Sequence, residues 1–297
     1  MNAHDTHPSK PPRPTLGLTI GDAAGVGPEL IHESLQSGLL PNTVQYRVIG
    51  DANGIVPGQS SRESARRGLD AMEEAVRLLK AGEIHGVVTG PVCKAGLYEL
   101  GYPFPGQTEF FANAFDVSDF AMCLTGPHLT VGLSTIHIPI KDVASSLTQE
   151  AIVRVGHLLH EFCRKRGHIY PRIAVAGLNP HAGENGSIGE EDELIVRPAV
   201  AVLNARHPGV FEGPLPPDTV FYHAYRRDYH AVVCMYHDQG LIPLKMVDFR
   251  EGVNVTLGLP FPRTSPDHGT AFDIAGKGIA RPDSMLAAIR LASQLVV

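Results

Sequence analysis

The sequence has no excess of basic residues and no apolar run long enough to cross a membrane. Its formal net charge of -6 argues against a broad nucleic-acid surface, since such a surface needs clustered Lys and Arg. Apolar runs such as Thr15–Ile20 and Ala231–Met235 end far short of the roughly 20 residues that a membrane-spanning helix needs. The polar, proline-rich stretch Met1–Pro14 has no apolar segment typical of a secretion signal. We therefore expect a disordered leader and a cytoplasmic protein.

Cysteine is also scarce, and several well-known motifs are absent. The four cysteines stand far apart with no CxxC pair, which favours free, mostly buried thiols over disulfides. The glycines of Gly21–Glu29 spell neither GxGxxG nor a P-loop, so an ordinary Rossmann or P-loop site is unsupported, and no HExxH motif is present. The cysteines are Cys93, Cys123, Cys163 and Cys234.

The patterns that are present are those of an α/β protein. With 297 residues, 43% of them hydrophobic, the chain is long enough for two lobes with a sizeable core. The strand Thr15–Ile20 breaks at Gly21, and the strand Val87–Thr89 runs into Gly90. Between them, Ser64–Lys80 repeats apolar residues at helical spacing. This succession of strand, glycine turn and helix predicts a parallel sheet with crossover helices.

The middle of the chain predicts a different arrangement. Ala121–Leu124 and Thr130–Ile136 are predicted as an antiparallel pair of strands, and Leu147–Arg166 as an amphipathic helix. Ile173–Ala176 and Ala231–Met235 are continuous apolar runs, which indicates strands buried on both faces. No repeat or long linker separates these segments, so we expect two interleaved lobes.

Three of the 15 histidines each follow a predicted strand. His137 comes after Thr130–Ile136, His181 shortly after Ile173–Ala176, and His237 after Ala231–Met235. Because the carboxyl ends of strands line the ligand crevice of α/β sheets, these imidazoles could converge. Three imidazoles with an open fourth position suit a catalytic zinc or related divalent ion. From spacing alone, three unrelated histidines that form hydrogen bonds at strand ends are the better explanation, since no HExxH motif is present.

Two further segments carry candidate binding residues. Lys245, Asn254 and Arg263 stand beside glycine-rich turns and suit a phosphate or carboxylate, although scattered surface cations would look the same. In Ser265–Ala280, small residues let a ligand approach the backbone, and Asp273 can accept both hydroxyls of a ribose. Taken alone, that second segment is better explained as an ordinary glycine-rich turn.

Together the segments resemble the 4-hydroxythreonine-4-phosphate dehydrogenase family of pyridoxal phosphate biosynthesis. The resemblance runs from about Thr15 to the C-terminus. The loop His268–Ala280 also resembles the adenosine-binding loop of isopropylmalate dehydrogenases. The motifs that carry the family resemblance are Gly21–Glu29, Val88–Pro91 with Lys94, Thr108–Phe110, Asn179–Glu184, Tyr236–Gly240 and Arg263–Gly269.

The resemblance implies a fold and cofactors. It implies two interleaved α/β domains of the isocitrate/isopropylmalate dehydrogenase type, with an active-site cleft between them. We expect one domain at residues 15–125 plus 265–297 on the NAD side, and a second at residues 126–264 for metal, substrate and dimerisation. NAD and a divalent metal (zinc, magnesium or cobalt) are the implied cofactors. An obligate homodimer that shares metal ligands between subunits is implied as well.

The resemblance also assigns roles to residues. It makes the three strand-end histidines metal ligands and assigns substrate and NAD binding to two further sets. Substrate-binding positions map onto Gln107, Thr108, Lys245, Asn254 and Arg263. NAD-binding positions map onto His268, Gly269, Thr270, Asp273 and Ile274.

The implied reaction is oxidation of the secondary alcohol of 4-phosphooxy-L-threonine or a similar phosphorylated hydroxy acid, followed by decarboxylation. A bound divalent ion lowers the pKa of the substrate hydroxyl, and hydride leaves to NAD. Asp238, Asp267 and Lys94 are candidate proton acceptors. At position 107 the family pattern has His where this chain has Gln, which cannot carry a positive charge. The chain is therefore also a candidate paralogue for threonate or erythronate phosphate.

Other classes of protein remain open at this point. A metal-dependent hydrolase or aldolase would use the same three histidines without NAD. A catalytically silent binding paralogue is opposed by the intact histidines. An aromatic cis-dihydrodiol dehydrogenase is disfavoured because Asn254 and Arg263 are kept.

Overall fold

The computed structural model describes residues 13–297, which form a ten-stranded mixed sheet covered by helices on both faces. The predicted leader lies outside the described residues, except for Arg13 and Pro14. The strands are β1 Thr15–Thr19, β2 Gln45–Ile49, β3 Gly86–Thr89, β4 Ala121–Thr125, β5 Thr130–Leu133, β6 Ile173–Ala176, β7 Phe211–Leu215, β8 Ala231–Cys234, β9 Val253–Leu257 and β10 Arg263–Pro266.

The sheet contains two parallel blocks joined by an antiparallel centre. Its strand order is β2-β1-β3-β10-β9-β4-β5-β8-β6-β7. Strands β2, β1, β3 and β10 are parallel to one another, and so are β5, β8, β6 and β7. Strand β9 is antiparallel to both β10 and β4, and β4 is antiparallel to β5. The chain returns to the first block through β10, so the two halves of the sequence interleave.

Helices connect these strands, and two of the helices begin with a side-chain N-cap. The Ser61 hydroxyl accepts from the Ser64 amide at the start of α2 (Arg62–Lys80), and the Thr148 hydroxyl accepts from the Ala151 amide at the start of α6 (Gln149–Lys165). A short 3₁₀ turn lies at Ile140–Asp142, a turn with left-handed residues at Pro180–Glu184, and a π turn at Asp192–Val196. The helices are α1 Gly27–Gln36, α2 Arg62–Lys80, α3 Lys94–Glu99, α4 Gln107–Ala114, α5 Val143–Ser146, α6 Gln149–Lys165, α7 Arg197–Arg206, α8 Pro217–Tyr225, α9 His237–Asp248 and α10 Asp283–Leu295.

The core lies on both faces of the sheet, because successive strand residues point to opposite sides. In β8, Val233 packs in the cluster that contains residues of α6 and α7, whereas Val232 packs with residues of α8 and α9. In β3, Val88 packs in the cluster of α1 and α10, and Val87 packs with residues of α2 and α4. This burial on both sides accounts for the continuous apolar runs of these strands.

The structure confirms the mixed α/β class and most of the predicted elements. The antiparallel pair β4 and β5 is confirmed, and Thr148 is the cap of α6. One boundary was wrong: the strand predicted to reach Ile136 ends at Leu133. Beyond it, the Thr135 amide and hydroxyl both donate to the carbonyl of Met235, which directly follows β8. The predicted division at residues 125/126 and 264/265 stays a prediction, and the sheet is continuous across it.

The structure also bears on two expectations from the sequence, one about disulfides and one about membrane-spanning helices. The four cysteines are free, and three of them are buried while Cys93 is half-buried. Within residues 13–297, no helix combines the length and apolar composition that a membrane span needs.

Candidate active site

A cavity of about 400 Å³ lies over one face of the antiparallel centre of the sheet. Its floor is formed by Met122 of β4, Asn254 of β9, and Arg263 and Ser265 of β10. The register of the three strands places these side chains on the same face. One wall comes from the first block and the other from the second. The wall residues include Pro91, Lys94, Gln107, Thr108, Glu109, Ile136, His137, Lys245, Asp267 and His268.

Arg263 is the strongest electrostatic feature of this cavity. The side chain is buried, yet its hydrogen bonds go only to hydroxyls: Thr89 at 2.6 Å, Thr256 at 3.1 Å and Thr108 at 3.4 Å. Its Nε is buried without a partner within the described residues. Desolvation lowers the pKa of Arg263 to about 10, which means that the folded chain itself provides little anionic stabilisation. Within the described residues, the guanidinium therefore has no carboxylate partner.

The first turn of α4 brings three consecutive polar residues to the cavity. Gln107 donates from Nε2 to the Gly90 carbonyl at 3.1 Å, and its Oε1 is buried without a partner within the described residues. The Thr108 and Thr256 hydroxyls are 3.1 Å apart, which links α4 to β9. Glu109 also lines the cavity. The first turn of α4 therefore supplies hydrogen-bonding groups to the cavity that Arg263 also lines.

The opposite wall supplies a second cation and an amide. Lys245 of α9 forms an ion pair with Asp267, which follows β10, at 3.1 Å. The Lys245 side chain is 39% exposed and that of Asp267 is 16% exposed, so this pair stands at the rim of the cavity. Asn254 has a buried Oδ1 with no partner in the described part of the chain. The three residues predicted to bind an anion therefore line one cavity. The alternative interpretation, that they are scattered surface cations, is wrong.

Two of the three predicted metal ligands lie side by side. The His137 and His237 rings have centroids 5.5 Å apart, because their segments follow the neighbouring strands β5 and β8. His237 Nδ1 bonds to Asp238 Oδ1 at 2.7 Å, and this bond orients the ring. Partial desolvation, followed by the charges of Lys94 and His237, lowers the pKa of His137. A lowered pKa favours the neutral imidazole, which is the form that binds metal.

His181 does not join these two histidines in the same chain. It follows β6, the neighbour of β8, but it is exposed on a turn of left-handed residues. Within residues 13–297, no three His, Cys, Asp or Glu side chains are grouped closely enough to hold a metal ion. Two imidazoles of one chain nonetheless fit part of a divalent metal site, and His181 is accessible to a second molecule.

The predicted NAD loop packs against the glycine turn Gly21–Glu29. The Val26 amide donates to the Thr270 carbonyl at 2.9 Å, and the Gly276 amide donates to Glu29 Oε2 at 2.9 Å. His268 and Gly269 line the cavity, whereas Asp273 is exposed further along the loop. The loop therefore runs from the cavity outward.

The predicted proton acceptors occupy different positions. Lys94 and Asp267 line the cavity, whereas Asp238 is 69% exposed and bonds to His237. Sequence reasoning missed Glu109 on the wall and the hydroxyl partners Thr89 and Thr256. Glu109 stood within a quoted motif without a role. Thr256 could have been found, since it is two residues after Asn254 on the same strand face.

Several solved structures have a similar fold. A 4-hydroxythreonine-4-phosphate dehydrogenase from Klebsiella pneumoniae is 36% identical with a TM-score of 0.82, and covers 96% of this chain and 98% of that one. A terephthalate 1,2-cis-dihydrodiol dehydrogenase from Burkholderia xenovorans is 26% identical with a TM-score of 0.70, over 94% and 97% of the two chains. A β-decarboxylating dehydrogenase from Thermococcus kodakarensis, 16% identical with a TM-score of 0.54 over 94% and 81%, shows the fold alone. The predicted fold type is confirmed.

Curated relatives are closer in sequence. The 4-hydroxythreonine-4-phosphate dehydrogenase of Bradyrhizobium diazoefficiens is 46% identical over 95% of this chain and 83% of that protein. The D-threonate 4-phosphate dehydrogenase of Pectobacterium atrosepticum is 38% identical over 94% of this chain and 98% of that protein. The family model described as pyridoxal phosphate biosynthetic protein PdxA matches residues 29–292. The chain therefore belongs to the PdxA family and is an oxidoreductase.

Proposed function

We propose that the chain oxidises the secondary alcohol of a phosphorylated hydroxy acid, 4-phosphooxy-L-threonine or a close analogue, with NAD as hydride acceptor and loss of CO₂ from the β-keto acid. The observation that carries this proposal is Arg263, a buried guanidinium on the cavity floor that forms no ion pair within residues 13–297. A buried charge is costly unless it is paired. An anionic substrate group supplies the missing partner.

The phosphate is assigned to Arg263, Lys245 and Asn254. Arg263 presents a planar fork of donors that matches phosphate oxygens, and Lys245 adds a second positive charge from the opposite wall. The Lys245 ion pair with Asp267 is partly exposed, so a doubly charged phosphate can compete for the ammonium group. Asn254 contributes an amide donor, while its unpartnered oxygen can accept from a substrate hydroxyl.

The metal is assigned to His137 and His237 of one chain with His181 of a second copy. A divalent ion bound there supplies positive charge that lowers the pKa of the substrate hydroxyl. Asp238 orients His237 through its 2.7 Å bond. An exposed apolar surface supports the homodimer, because large apolar side chains concentrate on α8 and α9. These side chains are Tyr222 and Tyr225 of α8, and Ile242 and Met246 of α9 with the adjoining Phe249.

The loop at His268–Ile274 is assigned to NAD, which supplies the hydride acceptor. His268 and Gly269 line the cavity, so a ligand that binds along the loop extends into the cavity where the substrate is proposed to bind. Asp273 is exposed further out, where a carboxylate accepts ribose hydroxyls and repels a 2′-phosphate. The loop therefore supports NAD in preference to NADP.

Among the three candidate proton acceptors, Lys94 has the most suitable position. It lines the cavity near enough to His137 to lower the pKa of that imidazole. Asp267 is already paired with Lys245, and Asp238 is bonded to His237. We assign the hydroxyl proton to Lys94.

The second candidate substrate is D-threonate 4-phosphate. It is favoured by Gln107, which replaces the family His and cannot carry a positive charge. A relative that is 38% identical bears the name D-threonate 4-phosphate dehydrogenase. The dihydrodiol reaction is less well supported, since a terephthalate dihydrodiol offers carboxylates but no phosphate, and the relatives at 46% and 38% identity are named for phosphorylated acids.

The proposal is tested by the appearance of NADH absorbance in the near ultraviolet. Purified protein with NAD and Zn²⁺, Mg²⁺ or Co²⁺ should oxidise 4-phosphooxy-L-threonine or D-threonate 4-phosphate and release CO₂. The matched unphosphorylated acids and a cis-dihydrodiol serve as controls. Equal turnover of phosphorylated and unphosphorylated acids, or turnover of the dihydrodiol alone, would contradict the proposal.

A further inference from the structure

The turn that carries His181 has an unusual backbone. Six consecutive residues, 181–186, have positive φ angles between 42° and 88°. Only two of them, Gly183 and Gly186, are glycines, and L-residues with side chains disfavour this conformation. Non-glycine residues in such a conformation persist only where the surrounding structure holds them. Contacts outside the turn must therefore maintain it.

Asp192 supplies the main contacts of this kind. Its side chain is 0% exposed, and its two oxygens accept from the Leu178 amide at 2.7 Å and the Asn179 amide at 3.0 Å. These two residues lead directly into the turn. The Asp192 side chain also packs closely against the turn itself. A Cβ added to Gly183 would lie only 3.3 Å from the Asp192 Cβ. Asn179 adds a bond from Nδ2 to Glu191 Oε2 at 2.9 Å.

A second buried side chain connects this turn to the neighbouring histidine. Gln239 accepts from the Met235 amide at 2.7 Å and donates to the Gly177 carbonyl at 2.7 Å. Met235 leads to His237, and Gly177 leads to His181. Thr135, which leads to His137, donates to the Met235 carbonyl at 2.8 Å. The three histidine segments are therefore joined by one buried set of hydrogen bonds that ends at Asp192.

We propose that Asp192 is a positioning residue that holds residues 181–186 in their left-handed form, so that His181 projects from the surface toward a second copy of the chain. This inference rests on the proposed metal site. A carboxylate suits this role, because each of its two oxygens accepts from one of the two backbone amides. Asp192→Asn keeps the size but presents an NH₂ group to one of the two N–H donors.

The test measures Zn²⁺ affinity of the full chain by competition with a chromophoric chelator. Asp192→Asn should weaken Zn²⁺ binding by about 10- to 100-fold, the usual effect of losing a group that orients a metal ligand. Asp248→Asn is the matched control. Asp248 is also a buried carboxylate that accepts from two successive backbone amides, those of His128 and Leu129, but it holds a different turn. Its Zn²⁺ affinity should stay close to that of the unaltered protein.

A rescue variant separates positioning from general stability. Glycine adopts positive φ without strain, so Ala182→Gly in the Asp192→Asn background should recover most of the lost Zn²⁺ affinity. If Asp192→Asn does not fold, Asn179→Ala removes only the bond to Glu191 at a half-buried position. It should weaken Zn²⁺ binding by a smaller factor. Unchanged Zn²⁺ affinity in folded Asp192→Asn, or in Asn179→Ala where Asp192→Asn does not fold, would overturn the proposal.

Amide hydrogen exchange, measured on the metal-free protein, tests the role of Asp192 independently of metal binding. Slow exchange at Leu178 and Asn179 should be lost in Asp192→Asn and kept in Asp248→Asn. If the unaltered protein binds no Zn²⁺, the proposed metal site is wrong. The exchange pattern would still support the proposal that Asp192 holds residues 181–186 in their left-handed form. If exchange at the Leu178 and Asn179 amides is the same in Asp192→Asn as in the unaltered protein, the proposed role of Asp192 is wrong.

Discussion

Single side chains determine what the cavity can accept. Arg263 was identified from its residue type and its position near glycine turns, and the structure adds that it is buried and bonded only to hydroxyls. Thr89 could not be predicted as its partner, because it lies far from Arg263 in the chain and only the pairing of β3 with β10 brings the two together. Thr256 was missed although it lies on the same strand face as Asn254, and Glu109 was missed although it stood within a family motif.

Gln107→His restores the residue of the family pattern and should shift substrate preference. Gln107 is neutral, whereas a histidine can carry a proton and a positive charge. We expect the ratio of kcat/KM for 4-phosphooxy-L-threonine over D-threonate 4-phosphate to rise by about 10-fold. NADH absorbance with each substrate measures this ratio. Gln149→His on α6, outside the cavity, is the control, and an identical ratio in both variants would refute the prediction.

At the scale of elements, apolar periodicity predicted strands and helices within a few residues. It worked because most strands are buried on both faces and α2 and α6 have one apolar face. It failed where long-range bonds decide the backbone. Strand β5 ends at Leu133 although Thr135 still bonds to Met235 beside β8, and residues 181–186 take a conformation that their residue types disfavour.

The loop after β10 should determine the choice of cofactor through Asp273. The unaltered protein should use NAD at least about 10-fold better than NADP, because an exposed carboxylate repels the 2′-phosphate. Asp273→Asn removes that repulsion and should reduce the preference, as measured by kcat/KM with each cofactor. Asp228→Asn, an exposed carboxylate outside the cavity, should leave it unchanged. Equal use of both cofactors by the unaltered protein would contradict the assignment.

The contact of α6 with the end of α7 should make stability depend on pH. His207 Nε2 lies 3.1 Å from His157 Nδ1, and the His207 ring is 4.0 Å from that of His160. Burial, followed by the charges of His160 and His157, lowers the pKa of His207. The unfolded chain therefore binds more protons, so stability is full above about pH 6.5 and falls as the pH drops below it.

His207→Gln should reduce this loss of stability. Thermal unfolding midpoints of the variant and the unaltered protein, measured from pH 8 to pH 5, give the comparison. His85→Gln, whose ring accepts from the Thr15 amide elsewhere in the fold, is the control. Parallel pH curves for His207→Gln and the unaltered protein would show that the histidine contact does not cause the effect.

At the scale of the whole molecule, the sheet topology explains the position of the site. The two parallel blocks meet through antiparallel strands, so the face of β9, β10 and β4 is covered by segments of both blocks. The sequence predicted interleaving from the absence of a repeat or a long linker. It could not predict the strand order, because pairing of β10 with β3 joins residues far apart in the chain.

A shared metal site predicts that two inactive variants complement each other. His137→Ala and His181→Ala should each be inactive, since each site loses one ligand. When the two are mixed and exchange subunits, random pairing makes half of the dimers mixed, each with one intact site of two. Activity should therefore return to about a quarter of that of the unaltered protein. No recovery, with exchange verified by differently tagged subunits, would exclude sharing of His181.

The central claim is that Arg263 binds a substrate phosphate, and it is tested by comparing substrates across variants. Loss of a buried charged partner of this kind costs roughly 2–5 kcal/mol, so Arg263→Met should lower kcat/KM for the phosphorylated acid by about 30-fold or more. The unphosphorylated acid should be affected far less. Arg166→Met is the control, because Arg166 also donates to threonine hydroxyls, those of Thr125 and Thr130, but lies outside the cavity.

The decisive measurement is the ratio of kcat/KM for the phosphorylated acid to that for its unphosphorylated counterpart, followed through NADH absorbance in the three proteins. The account predicts a high ratio in the unaltered protein and in Arg166→Met, and a ratio that falls by about 30-fold or more in Arg263→Met. An equal ratio in all three proteins would contradict it.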